Sequence, residues 1–337
     1  MDGRNWGTAK TKTYAFFGSV DYDLTPSLTL NLGARQTYEK KDLLWNLDGS
    51  NTGNLALGSV TNYKDDQSYS KFTPTAGLTF HLDNNHTAYV KYSTGFKSGG
   101  WNADFISQAQ LNAGIRFNPE TVDSYEAGIK GTALGQRLQY DLAVFRSNFK
   151  DYQVQQFVNL GGPRNEFVLR NAAKAESKGL EASVRSRVSE HLTLGASLGL
   201  LNAEYQSFPG GLTPSGADAA GKKLARAPKT SGAVTVNYAR SSPSIGGRLD
   251  FYGECSYQSE SYVNVNNDPS YGRIASRTLV NLHVGYMPNR GQWMLGLWTR
   301  NLLDKNYLTD RTSDVFGNQS VRRGAPRMFG ADLSYQF

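Results

Sequence analysis

Period-two alternation of apolar and polar side chains runs the length of this 337-residue chain, and it is sharpest at the carboxyl end. Phe337, Tyr335, Leu333, Ala331 and Phe329 alternate with Gln336, Ser334, Asp332 and Gly330. Successive side chains of a strand point to opposite faces, so the apolar set shares one face and the polar set the other. A strand with hydrocarbon on one side and water on the other carries this pattern.

The same pattern recurs upstream. Tyr14, Phe16, Gly18, Val20 and Tyr22 alternate with Ala15, Phe17, Ser19 and Asp21, and Leu28, Leu30, Leu32 and Ala34 with Thr29, Asn31, Gly33 and Arg35. The segments are joined in pairs by Thr25-Pro26-Ser27, Asp83-Asn84-Asn85, Leu134-Gly135-Gln136, Ser189-Glu190, the stretch 241–246 and Asn289-Arg290-Gly291. These clusters have the chemistry of tight turns between antiparallel strands. Between the pairs lie longer connections, over 41–68, 98–118, 151–172, 207–226, 258–273 and 304–323, where the alternation lapses. Short turns at one end and long loops at the other are the asymmetry of a transmembrane barrel, which a soluble sandwich lacks. The expected fold is all-β, an antiparallel transmembrane barrel wall of about thirteen strands.

Alternation also sorts the charges. Arg35, Lys91, Glu181, Arg185, Arg248, Asp250, Glu254, Arg300 and Asp332 all fall on the polar face, opposite residues such as Leu194, Leu198, Phe251 and Val284. Arg or Lys on the lipid face costs about 2–4 kcal/mol at the bilayer midplane, so this segregation is physically required. The polar face therefore lines a wet interior.

Composition removes the alternatives. Mean hydropathy is -0.51 and no apolar run approaches the ~18 residues of a spanning helix, which excludes a helical membrane protein. The single Cys255 forms no internal disulfide, and His81, His86, His191 and His283 show no metal-ligand spacing. The +7 net charge is dispersed, with no basic stripe for nucleic acid. No nucleophile motif, Walker loop or zinc-protease helix is present, and His191 on a turn and His283 in the interior are poorly placed for a Ser–His pair. No catalytic residue, metal or cofactor is expected.

Four short stretches carry a family resemblance. Pro119-Glu-Thr-Val-Asp-Ser-Tyr-Glu-Ala-Gly-Ile-Lys130 resembles the segment of TonB-dependent outer-membrane receptors in which Pro-Glu introduces a Tyr-Glu-x-Gly-x-Lys strand. Asn171-Ala-Ala-Lys-Ala-Glu-Ser-Lys-Gly-Leu-Glu181 is similar to their Asn-Ala-to-Gly-x-Glu strand, and Arg300-Asn-Leu-Leu-Asp-Lys-Asn-Tyr307 to the Asn-Leu-x-Asp-x-x-Tyr that closes their penultimate strand. Gly324-Ala-Pro-Arg327 matches the Pro-Arg that precedes their final strand. Phe329, Leu333, Tyr335 and the terminal Phe337 resemble the signal read by the barrel-assembly machinery.

The resemblance implies a siderophore-receptor-like barrel of about 22 strands around an amino-terminal plug. It implies uptake of an iron–siderophore complex or similar large nutrient, driven by the TonB complex through a plug segment that this chain lacks. Met1-Asp-Gly-Arg-Asn-Trp6 is no signal peptide. An odd strand count would force a parallel closure that bacterial single-chain barrels avoid. Residues 1–337 therefore read as the carboxyl-terminal portion of a receptor barrel, incomplete at the amino end. A passive porin-like channel and a receptor fragment without function are the other readings.

Candidate ligand-contacting residues lie in the long loops. Trp101 fits stacking on a ligand, a place in the interfacial aromatic girdle, or packing within its loop. Tyr262, Asn264, Asn266, Asn267, Asp268 and Tyr271 suit a polar chelate and also suit ordinary loop composition. Arg164 fits an anion site or a solvated loop tip. On the inner face, Arg35, Glu181, Arg185, Arg248, Glu254 and Arg300 fit either ion pairs with a plug or charge balance in a watery lumen.

Overall fold

The computed structural model describes residues 2–51, 57–158, 166–212, 217–289, 291–313 and 318–335. It holds one 13-stranded antiparallel sheet whose strands pair in chain order. We number these strands β1 (Asp2–Thr25), β2 (Leu28–Asn51), β3 (Val60–His81), β4 (His86–Lys97), β5 (Glu120–Ala133), β6 (Leu138–Val158) and β7 (Glu166–Arg187). The remainder are β8 (Leu192–Ser207), β9 (Thr230–Ser242), β10 (Gly247–Gln258), β11 (Arg277–Pro288), β12 (Trp293–Arg300) and β13 (Met328–Tyr335). Among the described residues β1 pairs only with β2, and β13 only with β12.

Register carries the alternation across the sheet. Tyr22, Leu30, Leu78, Val90, Ala127, Val144, Leu180 and Leu200 stand opposite one another from β1 to β8. Leu192, Tyr238, Phe251, Val284, Leu297 and Ala331 continue the apolar face from β8 to β13. A one-residue slip would turn every one of these side chains into the interior, so the belt itself enforces the register. Phe16 is 74% exposed, Leu297 57% and Leu333 71%, and lipid is the solvent that accommodates them.

Five of the six tight turns lie where sequence places them, at one end of the sheet, and the sixth, Asn289-Arg290-Gly291, lies in part outside the described residues. In one, Asp83 Oδ1 accepts the backbone N–H of Asn85 at 2.7 Å and of His86 at 2.8 Å, closing the β3–β4 turn. The His86 ring also bonds this carboxylate, and together these contacts hold it below the usual aspartate range.

At the other end the structure corrects the loop boundaries. The connections assigned to 41–68 and 151–172 are in large part strand: β2 pairs with β3 through Leu47↔Val60, and β6 with β7 through Val158↔Glu166. A membrane crossing needs about 9–11 residues, whereas β1 and β2 each have 24. Beyond the bilayer both faces meet water or protein, so alternation lapses while backbone pairing continues. Within 98–118, a two-stranded ladder joins Gly100–Trp101 to Arg116–Phe117, and a short helix spans Gln108–Ala113. Similar ladders join Ser261–Tyr262 to Arg273–Ile274, and Leu308–Ser313 to Gln319–Arg323.

Candidate functional site

The 98–118 and 207–226 connections, with Val265 of the 258–273 connection, fold onto the polar face of the sheet at the mouth, over two apolar clusters. Leu43, Trp45 and Leu47 on the upper part of β2 are buried against Ile106 and Ile115 of the 98–118 connection, with Trp101 beside them. Ala175, Ala203 and Tyr205 on β7 and β8 are buried against Phe208, Ala219, Leu224 and Val265. Each cluster lies on the inner-face register, so apolar residues above the belt reverse the rule that holds within it.

Polar straps fix the first connection across the mouth. Lys41 Nζ donates to the Gly99 carbonyl at 2.9 Å and Gln67 Nε2 to that of Gly100 at 3.1 Å. On the far side, Gln153 Nε2 donates to the carbonyls of Ser98 and Asn118 at 2.9 and 3.0 Å. Asn102 exchanges two bonds with the backbone of Leu169, at 2.9 and 2.8 Å. The resemblance-bearing stretches thereby acquire a physical role. Asn171 opens the second stretch and accepts the N–H of Asn118, just before the first, at 2.8 Å. Buried Asn301 donates to the carbonyls of Lys305 at 2.9 Å and Ala325 at 3.1 Å, and Asp304 accepts the N–H of Arg327 at 3.2 Å. These motifs are clamps that tie loop ends to strands.

Trp101 belongs to this framework. Its Nε1 donates to Asp65 Oδ2 at 2.6 Å, while Arg116 grips the same carboxylate through Nε at 2.6 Å and through Nη2. Asp65 lies in β3 above the apolar belt, and the Arg116 guanidinium, then Trp101, hold its carboxyl below the usual range. A lowered pKa contributes stability that is present above the ordinary aspartate value of about 3.9 and is lost as pH falls through the lowered one. Acrylamide quenching of Trp101, taken as the difference from W101F, is expected to stay flat from neutral pH to about 4 and to rise below it. In D65N it should be high throughout; quenching in D65N equal to wild type would discount the clamp.

The 258–273 segment divides its candidates by role. Asp268 Oδ1 accepts the N–H groups of Ser270 and Tyr271 at 2.7 and 2.9 Å, and Asn264 Oδ1 that of Asp268 at 3.2 Å, so both shape the turn. The Tyr262 carbonyl receives Arg226 N–H at 2.6 Å. Asn266 and Tyr271 are exposed. Arg164 lies outside the described residues. Asn267, in the same cluster, exchanges bonds with the backbone of Lys223 at 2.7 and 3.0 Å. Sequence reasoning passed over Arg226, Arg273 and Arg311. Arg226 reaches Asp310 at 2.8 Å, Arg273 reaches Glu260 at 2.7 Å, and Arg311 donates to the Ser270 carbonyl at 2.6 Å. Their partners are 13 to 84 residues away, and no local pattern announces them.

Below the mouth, register places Arg35, Glu181, Arg185, Arg248, Glu254 and Arg300 on one face. Arg248 pairs with Asp250 at 2.8 Å, and Glu254 accepts from Tyr252 at 2.9 Å and Asn281 at 3.3 Å. Arg35 donates to Thr37 at 3.1 Å, and Arg300 lies over the Trp298 ring at 5.2 Å. Glu181 and Arg185 make no ion pair with each other, and among the described residues neither side chain has a hydrogen-bond partner. Glu181 borders an open hollow of about 730 Å³ with Asp141, Ser183, Ser197, Ser231 and Gln258. His283 stands 3.6 Å from Asp332, and His191 sits at the β7–β8 turn. Among the described residues no three His, Cys, Asp or Glu side chains cluster as metal ligands. On β13, Phe329, Leu333 and Tyr335 face outward along the edge of the sheet, and Phe337 lies outside the described residues.

An antiparallel wall with an apolar outer belt, a charged inner face, tight turns at one end and inward-folded loops at the other defines an outer-membrane β-barrel. A family model described as "TonB dependent receptor-like, beta-barrel" matches residues 2–302, and the chain belongs to that family. The family is one of receptors rather than enzymes.

Among curated proteins, a probable TonB-dependent siderophore receptor, PiuA of Acinetobacter baumannii, is 23% identical over 90% of this chain and 38% of its own length. The metal-pseudopaline receptor CntO of Pseudomonas aeruginosa is 25% identical over 85% of this chain and 36% of its own length. The chain thus spans less than half of these relatives. Among solved structures, the ferric yersiniabactin uptake receptor FyuA of Yersinia pestis superposes with a TM-score of 0.79 at 16% identity, over 99% of this chain and 47% of that one. The fold is shared.

Proposed function

We propose that this chain forms barrel wall in a TonB-driven receptor for an iron–siderophore complex or a similar large metal chelate. The observation that carries the reading is the match, over most of this chain, to proteins named as siderophore and metallophore receptors. The geometry supports it. A barrel that includes these 13 strands would hold more interior space than its own side chains fill, since about eight strands already give an interior just wide enough for side chains to pack. Glu181 and Arg185 are left for ion pairs with a plug inside the lumen. At the mouth, Asn266 and Tyr271 reach toward the chelate, and Trp101, Tyr262, Asn264 and Asp268 shape the surface that presents them. Arg164 would supply a cation for an anionic chelate.

The test is accumulation of ⁵⁵Fe-labelled catecholate, hydroxamate and carboxylate siderophores in a host stripped of its own receptors, with and without TonB. One chelate class is expected to accumulate only when TonB is present. E181A/R185A should lower that uptake while leaving chelate binding to whole cells intact. Accumulation that survives TonB deletion would replace this reading with a passive pore.

A further inference from the structure

Three of the long connections, over 207–226, 258–273 and 304–323, leave different strands and yet meet at one residue. Arg226 ends the first of them with a φ of +58°, a left-handed conformation uncommon for residues other than glycine. From there it holds two partners at once. Its backbone N–H donates to the Tyr262 carbonyl at 2.6 Å, and its Nη2 donates to Asp310 Oδ1 at 2.8 Å. One residue of the first connection therefore grips both of the others.

The contacts close into a ring. Asp310 Oδ1 also accepts the backbone N–H of Arg311 at 2.8 Å, and Arg311 Nη1 reaches back to the Ser270 carbonyl at 2.6 Å. Ser270 and Tyr262 lie in the same connection, so the path returns to the segment on which Arg226 docks. The two ladders joined in this way, Ser261–Tyr262 with Arg273–Ile274 and Leu308–Ser313 with Gln319–Arg323, belong to separate sheets. Side chains, and no strand pairing, set their spacing. The Arg226 side chain is 61% exposed and that of Asp310 15%. An ion pair with one end in solvent adds little to global stability, so its effect here is geometric.

We propose that Arg226 is a positioning residue that makes the three connections move as one body. A displacement of 258–273 then carries 207–226 and 304–323 with it, and the surface bearing Asn266 and Tyr271 is set from all three. For uptake, this rests on the reading of the chain as part of a chelate receptor: a chelate touching Tyr271 is sensed by 304–323 without meeting it. The warrant is a closed path of contacts whose geometry one side chain completes.

Hydrogen–deuterium exchange of the full chain in detergent micelles tests the coupling with no chelate present. Arg226→Gly suits the left-handed backbone and keeps the N–H that Tyr262 accepts, so it removes the guanidinium alone. In R226G the amides of Leu308–Ser313, Gln319–Arg323 and Ser270–Ile274 are expected to exchange about fivefold faster, the upper scale of a half-exposed ion pair. R226K keeps the charge and should stay within about twofold of wild type. R226Q gives the same readout as R226G should the glycine variant fail the heat-modifiable gel assay of assembly. Wild-type exchange at 308–313 in the assembled variant overturns the proposal, and so does acceleration that stops short of 270–274. Equal acceleration over 98–118 overturns it as well, because that reports a general loss of stability. With the ⁵⁵Fe-labelled chelates of the uptake assay as probes, R226G should raise the half-saturating concentration for whole-cell binding about fivefold at an unchanged number of sites. Unchanged half-saturation beside faster exchange overturns the positioning role. Where wild type binds none of these chelates, the reading of function fails, and the exchange result still decides the coupling.

Discussion

Ala196→Arg is expected to disable assembly of the sheet, whereas Ser197→Arg, one residue along, is expected to leave it nearly intact. Ala196 lies in the middle of the outward run from Leu192 to Leu200, between Val184 and Val234 on its neighbours. A guanidinium there faces hydrocarbon at the depth where the penalty is about 2–4 kcal/mol. Ser197 stands between Ser183 and Ala233 on the inner face, where an added cation stays hydrated and the cost should be within about 0.5 kcal/mol. Urea unfolding in lipid vesicles separates the two, with gel migration as a second readout. Similar losses from both substitutions would mean that the face assignment fails in the centre of the wall.

Gly179→Val is expected to cost about 1–3 kcal/mol through overpacking, although it adds apolar surface to a strand and keeps backbone pairing. The glycine stands on the inner face of β7, opposite Phe145. A Cβ there would collide with the Leu200 carbonyl oxygen and lie 2.9 Å from Phe145 Cζ. The phenylalanine ring covers the bare glycine backbone, and the arrangement recurs where Tyr89 covers Gly128 and Trp298 covers Gly330. Aromatic cover of a strand glycine is a known way to stabilise an otherwise weak position. F145A/G179V should recover part of the loss by removing the ring but not the backbone collision. A G179V midpoint in urea equal to wild type would mean that the ring contributes nothing there.

Both predictions concern the part of the molecule that local pattern describes well. Leu192 to Leu200, Leu249 to Tyr257 and Val280 to Tyr286 sort onto two faces from composition and period alone, and the observed register keeps them there. The tight turns were legible for the same reason: Pro26, Asn84 and Gly135 act on backbone a few residues away. The mouth was not. Trp101 reads as a ligand-stacking residue only while its partner Asp65, 36 positions earlier, is unknown. Asn264 and Asp268 read as chelate contacts, whereas their side chains spend their hydrogen bonds on their own turn.

By itself, then, the sequence determined an antiparallel barrel wall, its approximate number of strands, which face meets lipid and which end carries the loops. A membrane imposes one rule on every residue it touches, and period two records that rule locally. Tertiary structure alone decided how far the strands run past the bilayer and that the loops fold inward over two apolar clusters. It also decided that Arg226 ties three connections together. Those features rest on contacts between distant segments in water, where no single solvent-facing rule leaves a period in the chain.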